Sequence, residues 1–238
     1  MRIALIGYGK MGKAIEEAAV KKGHEIVLRI DQPTLHEFTK DNLQNADVAI
    51  EFTGPHSAFE NVKKCIEWKV PVVCGSTGWT EHLDEMKSLA INNASGFIYS
   101  SNYSVGVNIF FEVNKKLAEL MNAHDDYSVQ IEETHHTQKK DAPSGTAISI
   151  AEQILEKIKR KNNWVTDLSQ QEMELTIISK REDPAPGTHR VEYSSPIDTI
   201  EIIHTAHNRT GFASGAVLAA EFLKGRAGFF TMKDVLNF

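Results

Sequence analysis

The sequence predicts an α/β protein in two parts. A mainly parallel sheet covered by helices on both faces comes first, then an α+β region on a second, mixed or antiparallel sheet. Three observations predict this. Short β-rich runs, RIALIG, EIVLRI, DVAIEF, VPVVCG and GFIYS, recur up to Ser100, with helical stretches such as MGKAIEEAAVKKG and HSAFENVKKCIEWK between several of them. That is the spacing of βαβ units. The first strand runs straight into glycines and a helix. After about Ser101 the texture changes to a long helix and long alternating β-like tracts, which suit a sheet with one solvated face.

The opening strand RIALI leads into GYGKMG. Gly7 permits the tight turn, Gly9 lets a pyrophosphate approach the backbone, and Gly12 allows close helix–strand packing. The N–H groups of the helix start then point at the phosphates. Gly7, Tyr8, Gly9, Lys10, Met11 and Gly12 are therefore expected to hold a dinucleotide in a Rossmann-like domain. Asp31 closes the second strand, where an acidic side chain accepts from a ribose 2′-hydroxyl and repels a 2′-phosphate. The alternative is that Asp31 only caps a turn. Arg29 and Lys10 can soften the repulsion, so the pattern leans to NADH and leaves NADPH open. The segment from Ile30 to Val48 is short and reads as partly irregular. The turns FTGP and CGSTGW bring Phe52, Thr53, Gly75, Ser76 and Thr77 to the carboxyl edge, where ligands lie in such sheets. Ordinary turn chemistry explains each of them equally well.

NIFFEVNKKLAELMNA predicts a helix of roughly four turns, and YSVQIEETHH a strand. A helix is expected from near Ser144 to about Lys161. Two β-like tracts follow, EMELTIISKRED and THRVEYSSPIDTIEIIHTAH, with EDPAPG as a loop between them. Phe212 to Lys224 reads as a helix capped by Gly225, and the aromatic content of GFFTMKDVLNF predicts a packed tail. Periodicity leaves open which part the last helix and tail join.

The stretch ETHHTQKKDAPSGT concentrates ionisable side chains. A histidine there titrates near neutrality and can deliver a proton; a lysine adds a point charge with three donors. Ser144 is a candidate N-cap, and Gly145-Thr146 would present donors at a helix start, a seat for a carboxylate. The bland alternatives are solvent-facing histidines and, at Lys140, a surface charge. No metal is expected: cysteines are lacking nearby, and His135 and His136 would point to opposite faces of a continuing strand. There is no G-x-S-x-G elbow, and Cys65 and Cys74 read as buried thiols of a reducing cytosol. The net charge of -6 argues against nucleic acid or an anionic membrane as partner. No apolar run approaches the ~18 residues of a membrane span, and the N-terminus reads as a strand and not a signal peptide.

EETHHTQKKDAPSGTA closely resembles the central motif of the dihydrodipicolinate reductase family, in which E-x-H-H-x-x-K precedes D-A-P-S-G-T-A. The resemblance extends to the glycine loop, FTGP, GSTGW, SNYSVGVN, PGTH, RTGFASGAV and FTMKDVL. It implies a cytoplasmic, usually tetrameric enzyme of lysine and diaminopimelate biosynthesis. Such an enzyme uses NADH or NADPH to reduce a small cyclic dicarboxylate to tetrahydrodipicolinate. It places the last helix with the nucleotide domain, giving residues 1–103 with 212–238, and assigns substrate binding and tetramerisation to residues 104–211. Carried over by residue, His135 is the proton donor, Lys139 the substrate-binding and catalytic cation, and His136 a substrate ligand. Gly145 and Thr146 take a carboxylate, and Ser101, Asn102 and Tyr103 join the cofactor residues. Closure about a hinge between the domains is expected. The loop GYGKMG is one residue shorter than the G-x-x-G-R-M-G of many relatives and has lysine in the arginine position. The segment between Asp31 and Asp47 is short as well, which makes Asp31 a less secure ribose ligand than the glycines are phosphate ligands. The alternatives are a dehydrogenase of another small dicarboxylate and a non-catalytic NAD-binding regulatory subunit, which would not need the His-His-Lys and Gly-Thr set.

Overall fold

Alternation along the first strand decides how the N-terminal part is layered. In β1 (Arg2–Ile6), Ala4 and Ile6 enter one core and Ile3 and Leu5 the other. Successive side chains on a strand point to opposite faces, so a strand apolar from Ile3 to Ile6 must be covered on both. Each buried Ile or Leu contributes roughly 1.5–3 kcal/mol. The computed structural model describes residues 1–166, 171–208 and 210–238. The chain divides into two units, Met1–Val105 with Thr210–Phe238, and Gly106–Arg209.

The first unit continues with α1 (Lys10–Lys21), β2 (Glu25–Ile30), α2 (Lys40–Leu43), β3 (Val48–Glu51), α3 (Pro55–Glu67), β4 (Val72–Cys74), α4 (Leu83–Asn92) and β5 (Gly96–Tyr99). The long helix α5 (Val105–Met121) leads into the second unit. That unit contains β6 (Ser128–His135), α6 (Gly145–Lys157), β7 (Asn163–Val165), β8 (Glu174–Arg181), β9 (Thr188–Ser194) and β10 (Thr199–Thr205). The chain then returns to the first unit as α7 (Thr210–Leu223), β11 (Gly228–Phe230) and α8 (Met232–Leu236).

The first sheet is parallel, in the order β11-β5-β4-β3-β1-β2. Helices α3 and α4 cover the face of Ala4 and Ile6 through Ala58, Val62, Ile66, Met86 and Ala90. Helices α1 and α7 cover the other face through Ile15, Ala19, Ala216, Val217 and Ala220. The small residues of α7 allow close approach: a Cβ on Gly215 would lie 1.8 Å from the Tyr103 carbonyl oxygen. The tail is packed, β11 adding an edge strand beside β5. Between β2 and β3 there is only a 3-10 turn, Gln32–Glu37, and the single turn of α2, as the irregular segment predicted.

The second sheet runs β10-β9-β6-β8-β7 and is mixed. Pairs β6/β9 and β9/β10 are antiparallel, but β6/β8 and β7/β8 are parallel. The tract from Thr188 to His207 is two strands, not one. The turn between them is closed by Ser195 Oγ, which accepts from the Ile197 and Asp198 amides. Helix α6 ends at Lys157, short of the expected Lys161, because Ile158 turns extended and is fully buried. Strand β7 has no counterpart among the expected elements. It is a three-residue edge strand with little alternation to reveal it.

Candidate active site

In the first unit, β1 lies between β3 and β2. The strand order therefore reverses where the glycine loop and the FTGP turn leave the sheet, the usual place for a ligand in such folds. Gly7 has φ +95°, and a Cβ on it would sit 2.3 Å from the Phe52 carbonyl oxygen. A Cβ on Gly12 would sit 2.2 Å from the Gly7 oxygen. Neither position tolerates a side chain. Gly9, by contrast, has nothing within 4 Å of a built Cβ, so its backbone is open to a ligand.

The neighbouring turns are braced from within. Glu51, at the end of β3, is fully buried and accepts from the Thr53 amide at 3.0 Å, the Thr53 hydroxyl and the Cys74 thiol. The Phe52 ring occupies the space a Cβ at Gly75 would take, 2.2 Å away. Ser76 Oγ is buried without a hydrogen-bond partner among the described residues. Lys10, Thr77 and Ser101 are exposed, Tyr8 and Met11 half-buried. Asn102 is buried and its Oδ1 caps the Ser104 amide at 2.9 Å. Tyr103 differs from its neighbours in where its side chain goes. The Tyr103 side chain is 2% exposed and donates to the Cys74 carbonyl at 2.7 Å, so it braces the sheet and offers no ring or hydroxyl to a cofactor. Asp31 caps the 3-10 turn by accepting from the Gln32 amide, with Thr34 completing a capping box, yet it remains exposed. Both cysteine thiols are buried, and burial raises the pKa of each.

In the second unit, one face of β6 changes character along its length. Val129 and Ile131 join the core, and Glu133 and His135 continue on the same buried face. Glu133 is fully buried and sits at the centre of a network. Its carboxylate accepts from the Ser144 amide at 3.1 Å, Ser179 Oγ at 2.8 Å and the Arg181 guanidinium at 3.0 Å. His135 Nδ1 lies 3.3 Å from it and His189 Nε2 3.8 Å. Burial by itself would raise its pKa; the nearby His135 ring and hydrogen bonds from Ser144, Ser179 and Arg181 overcome that and hold the carboxyl well below the usual range. His189 is driven the other way: burial, and then the charge of His135, lower it to about 3 against the pull of Glu133, so its ring is neutral.

Sheet register explains this convergence. Glu133 pairs across β6/β9 with His189 and across β6/β8 with Ser179, and His135 pairs with Arg181. Ser144 caps α6 by accepting from the Ala147 amide while its own amide binds Glu133. Gly145 then opens the helix with nothing within 4 Å of a built Cβ, and Thr146 follows half-buried. Lys139 is held by both oxygens of Asp141, at 2.8 and 2.7 Å. His136 is half-buried and Lys140 exposed. Gly187, of the PGTH turn, has φ +154°, and a Cβ there would come 3.0 Å from His135 Nε2; glycine keeps that nitrogen approachable. Glu133, His135 and His189 place ligand-type atoms within 4.8 Å of one another. Arg181 on the same carboxylate opposes a cation there. Ser179, Arg181, Gly187 and His189 carried no site assignment from the sequence, because cross-strand register brings them in. For Glu133 a signal existed: it continues the buried alternation Val129, Ile131 toward His135. Arg209, in the RTGFASGAV stretch, lies outside the described residues.

Family comparison agrees with the chemistry of both units. The family model for the dihydrodipicolinate reductase N-terminus matches residues 1–103, and that for the C-terminus matches residues 106–236. The chain belongs to the dihydrodipicolinate reductase family. It is 49% identical over 237 residues to a 4-hydroxy-tetrahydrodipicolinate reductase of Christiangramia forsetii, covering 100% of this chain and 98% of the relative. It is 32% identical to one from Alkaliphilus oremlandii, covering 96% and 95%. A solved dipicolinate-bound dihydrodipicolinate reductase from Paenisporosarcina sp. TG-14 superposes with TM-score 0.77 at 25% identity, covering 97% of each chain. As in other dihydrodipicolinate reductases, the first unit is a pyridine-nucleotide-binding domain. The open backbone at Gly9 and the orphaned Ser76 hydroxyl fit that ligand. No helix among the described residues is long and apolar enough to cross a membrane.

Proposed function

We propose that this protein is a 4-hydroxy-tetrahydrodipicolinate reductase. In this reaction NADH or NADPH supplies a hydride to an unsaturated cyclic dicarboxylate, yielding tetrahydrodipicolinate in lysine and diaminopimelate biosynthesis. The observation that carries the reading is the buried Glu133–His135 pair beside Lys139 and the open start of α6, in a chain 49% identical throughout to a reductase of that name.

The residues divide the work as follows. Glu133, 3.3 Å from Nδ1, orients the His135 ring as an ion-pair partner when it is protonated and leaves Nε2, beside Gly187, to hand a proton to the substrate. Lys139 exchanges Asp141 for a substrate carboxylate, a charge-assisted contact. Gly145 and Thr146 offer the start of α6 to the second carboxylate, where backbone N–H groups favour an anion, and His136 adds a further contact. In the first unit, the Gly7–Gly12 loop holds the pyrophosphate. Phe52, Thr53, Gly75, Ser76, Thr77, Ser101 and Asn102 surround the nicotinamide half. Asp31 favours NADH over NADPH. The protein works in the cytoplasm as a homotetramer, and the apolar side chains Ile197, Ile200 and Ile203, exposed on and beside β10, support burial against another copy.

The test is nicotinamide absorbance with substrate generated in situ by the synthase. Lys139→Ala should raise the substrate KM and lower kcat. His135→Gln should cut kcat by about 100-fold with a smaller effect on the cofactor KM. Wild-type constants in either variant would remove that residue from its role.

A further inference from the structure

One carboxylate ties the glycine loop to the end of β2. Glu16, on α1, accepts from Arg29 Nε at 3.1 Å and from a second Arg29 nitrogen at 2.5 Å. It also accepts from the Tyr8 hydroxyl. The third Arg29 nitrogen donates to the Ile26 carbonyl at 3.4 Å, and the guanidinium lies 6.0 Å from the centre of the Tyr8 ring. The whole guanidinium is therefore engaged. Consistently, Arg29 and then Tyr8 lower the Glu16 pKa against its burial, and Glu16 raises that of Arg29.

The location gives this clamp a consequence. Arg29 is two positions before Asp31, on the same face of the chain, beside the loop expected to hold the pyrophosphate. In a Rossmann-like site that is where the adenosine ribose lies, and an arginine there is what accommodates a 2′-phosphate. Here the arginine is already neutralised, and an incoming phosphate dianion would meet two carboxylates, Glu16 and Asp31. A 2′-hydroxyl meets no such barrier.

We propose that Glu16 is a cofactor-selectivity residue: by clamping Arg29 it withdraws the cation that NADPH would need, and so favours NADH. The inference rests on the nucleotide-binding reading of the first unit. A partly exposed ion pair is weak enough to be exchanged, so the bias is one of degree. Glu16→Gln should raise the ratio of kcat/KM for NADPH to that for NADH by about fivefold. It should tighten binding of adenosine 2′,5′-bisphosphate, measured by calorimetry, by a similar factor, with 5′-AMP as the reference. Adding Arg29→Met to Glu16→Gln should abolish both gains. A merely structural role for Glu16 would weaken both cofactors together. A ratio within about twofold of wild type, or a gain that survives Arg29→Met, overturns the proposal while NADH binding by the wild-type protein leaves the nucleotide reading intact. Failure of the wild-type protein to bind either reduced cofactor would overturn both.

Discussion

Two glutamates are fully buried near strand ends, one in each unit, and their surroundings differ in kind. Glu51 ends β3 and is met by the amide and hydroxyl of Thr53 and the thiol of Cys74; among the described residues no cation pairs with it. Glu133 is met by Arg181, Ser179, the Ser144 amide and two histidines. Burial is the same at 0% exposure, so burial does not distinguish them. What differs is the identity of the donors. Neutral donors from its own turn and from the end of β4 make Glu51 a brace for a loop. Around Glu133, by contrast, stand Arg181 of β8, His189 of β9 and His135 of its own strand, groups that carry or can take a proton, with the Ser144 amide at the start of α6. A buried carboxylate points to chemistry when its partners can themselves change charge.

Removal of the side chain should separate the two most. Glu133→Ala leaves Arg181 without its carboxylate and should cost about 3–5 kcal/mol of unfolding free energy in urea. Glu51→Ala strands hydrogen-bond donors only and should cost about 1–3 kcal/mol. Equal losses would erase the distinction. The conservative changes should then split by kinetic constant. Glu133→Gln should lower kcat about tenfold through His135 and change its pH profile, while Glu51→Gln should act on the KM for NADH through the Thr53 turn. Effects confined to the same constant in both would contradict the separate roles.

The smallest expected difference is a pH slope that belongs to the second unit. His189 has a folded pKa of about 3 against an ordinary 6.5, so between those values the unfolded chain binds more protons. Stability must fall as pH drops through that window, by up to ~1.4 kcal/mol per pH unit. His204, also lowered by burial, adds to it. Glu133, with its pKa depressed, adds its own loss only below its ordinary 4.5. His189→Asn should therefore flatten the dependence of the urea midpoint between pH 6.5 and about 5. An unchanged slope would mean that His189 is already able to take a proton in the fold.

Much of both sites was legible because it is local. Gly7, Gly9 and Gly12 belong to one turn, and His135, Lys139, Ser144, Gly145 and Thr146 lie within one short stretch. The roles proposed for them rest on backbone conformation, capping and charge. Asp31 was legible only as a pair of alternatives, and the cap it forms is compatible with either. The inward turn of the Tyr103 side chain was not legible, because a motif shows which residue is present and not which way it faces. His189, Ser179 and Arg181 meet Glu133 through pairing of β6 with both β9 and β8, one antiparallel and one parallel, and composition carries no trace of that choice.

Local patterning by itself thus determined the α/β class, most of the helices and strands, the glycine turn and the helix start that can receive a carboxylate. These depend on φ/ψ preference, alternation and nearby side chains. Only the tertiary structure decided that the second sheet is mixed, that Tyr103 turns inward, that Glu16 holds Arg29, and that Glu133 gathers four elements around one carboxylate. Those contacts join residues far apart in the chain, and strand register and helix placement, set by the packing of the whole unit, bring them within hydrogen-bond reach.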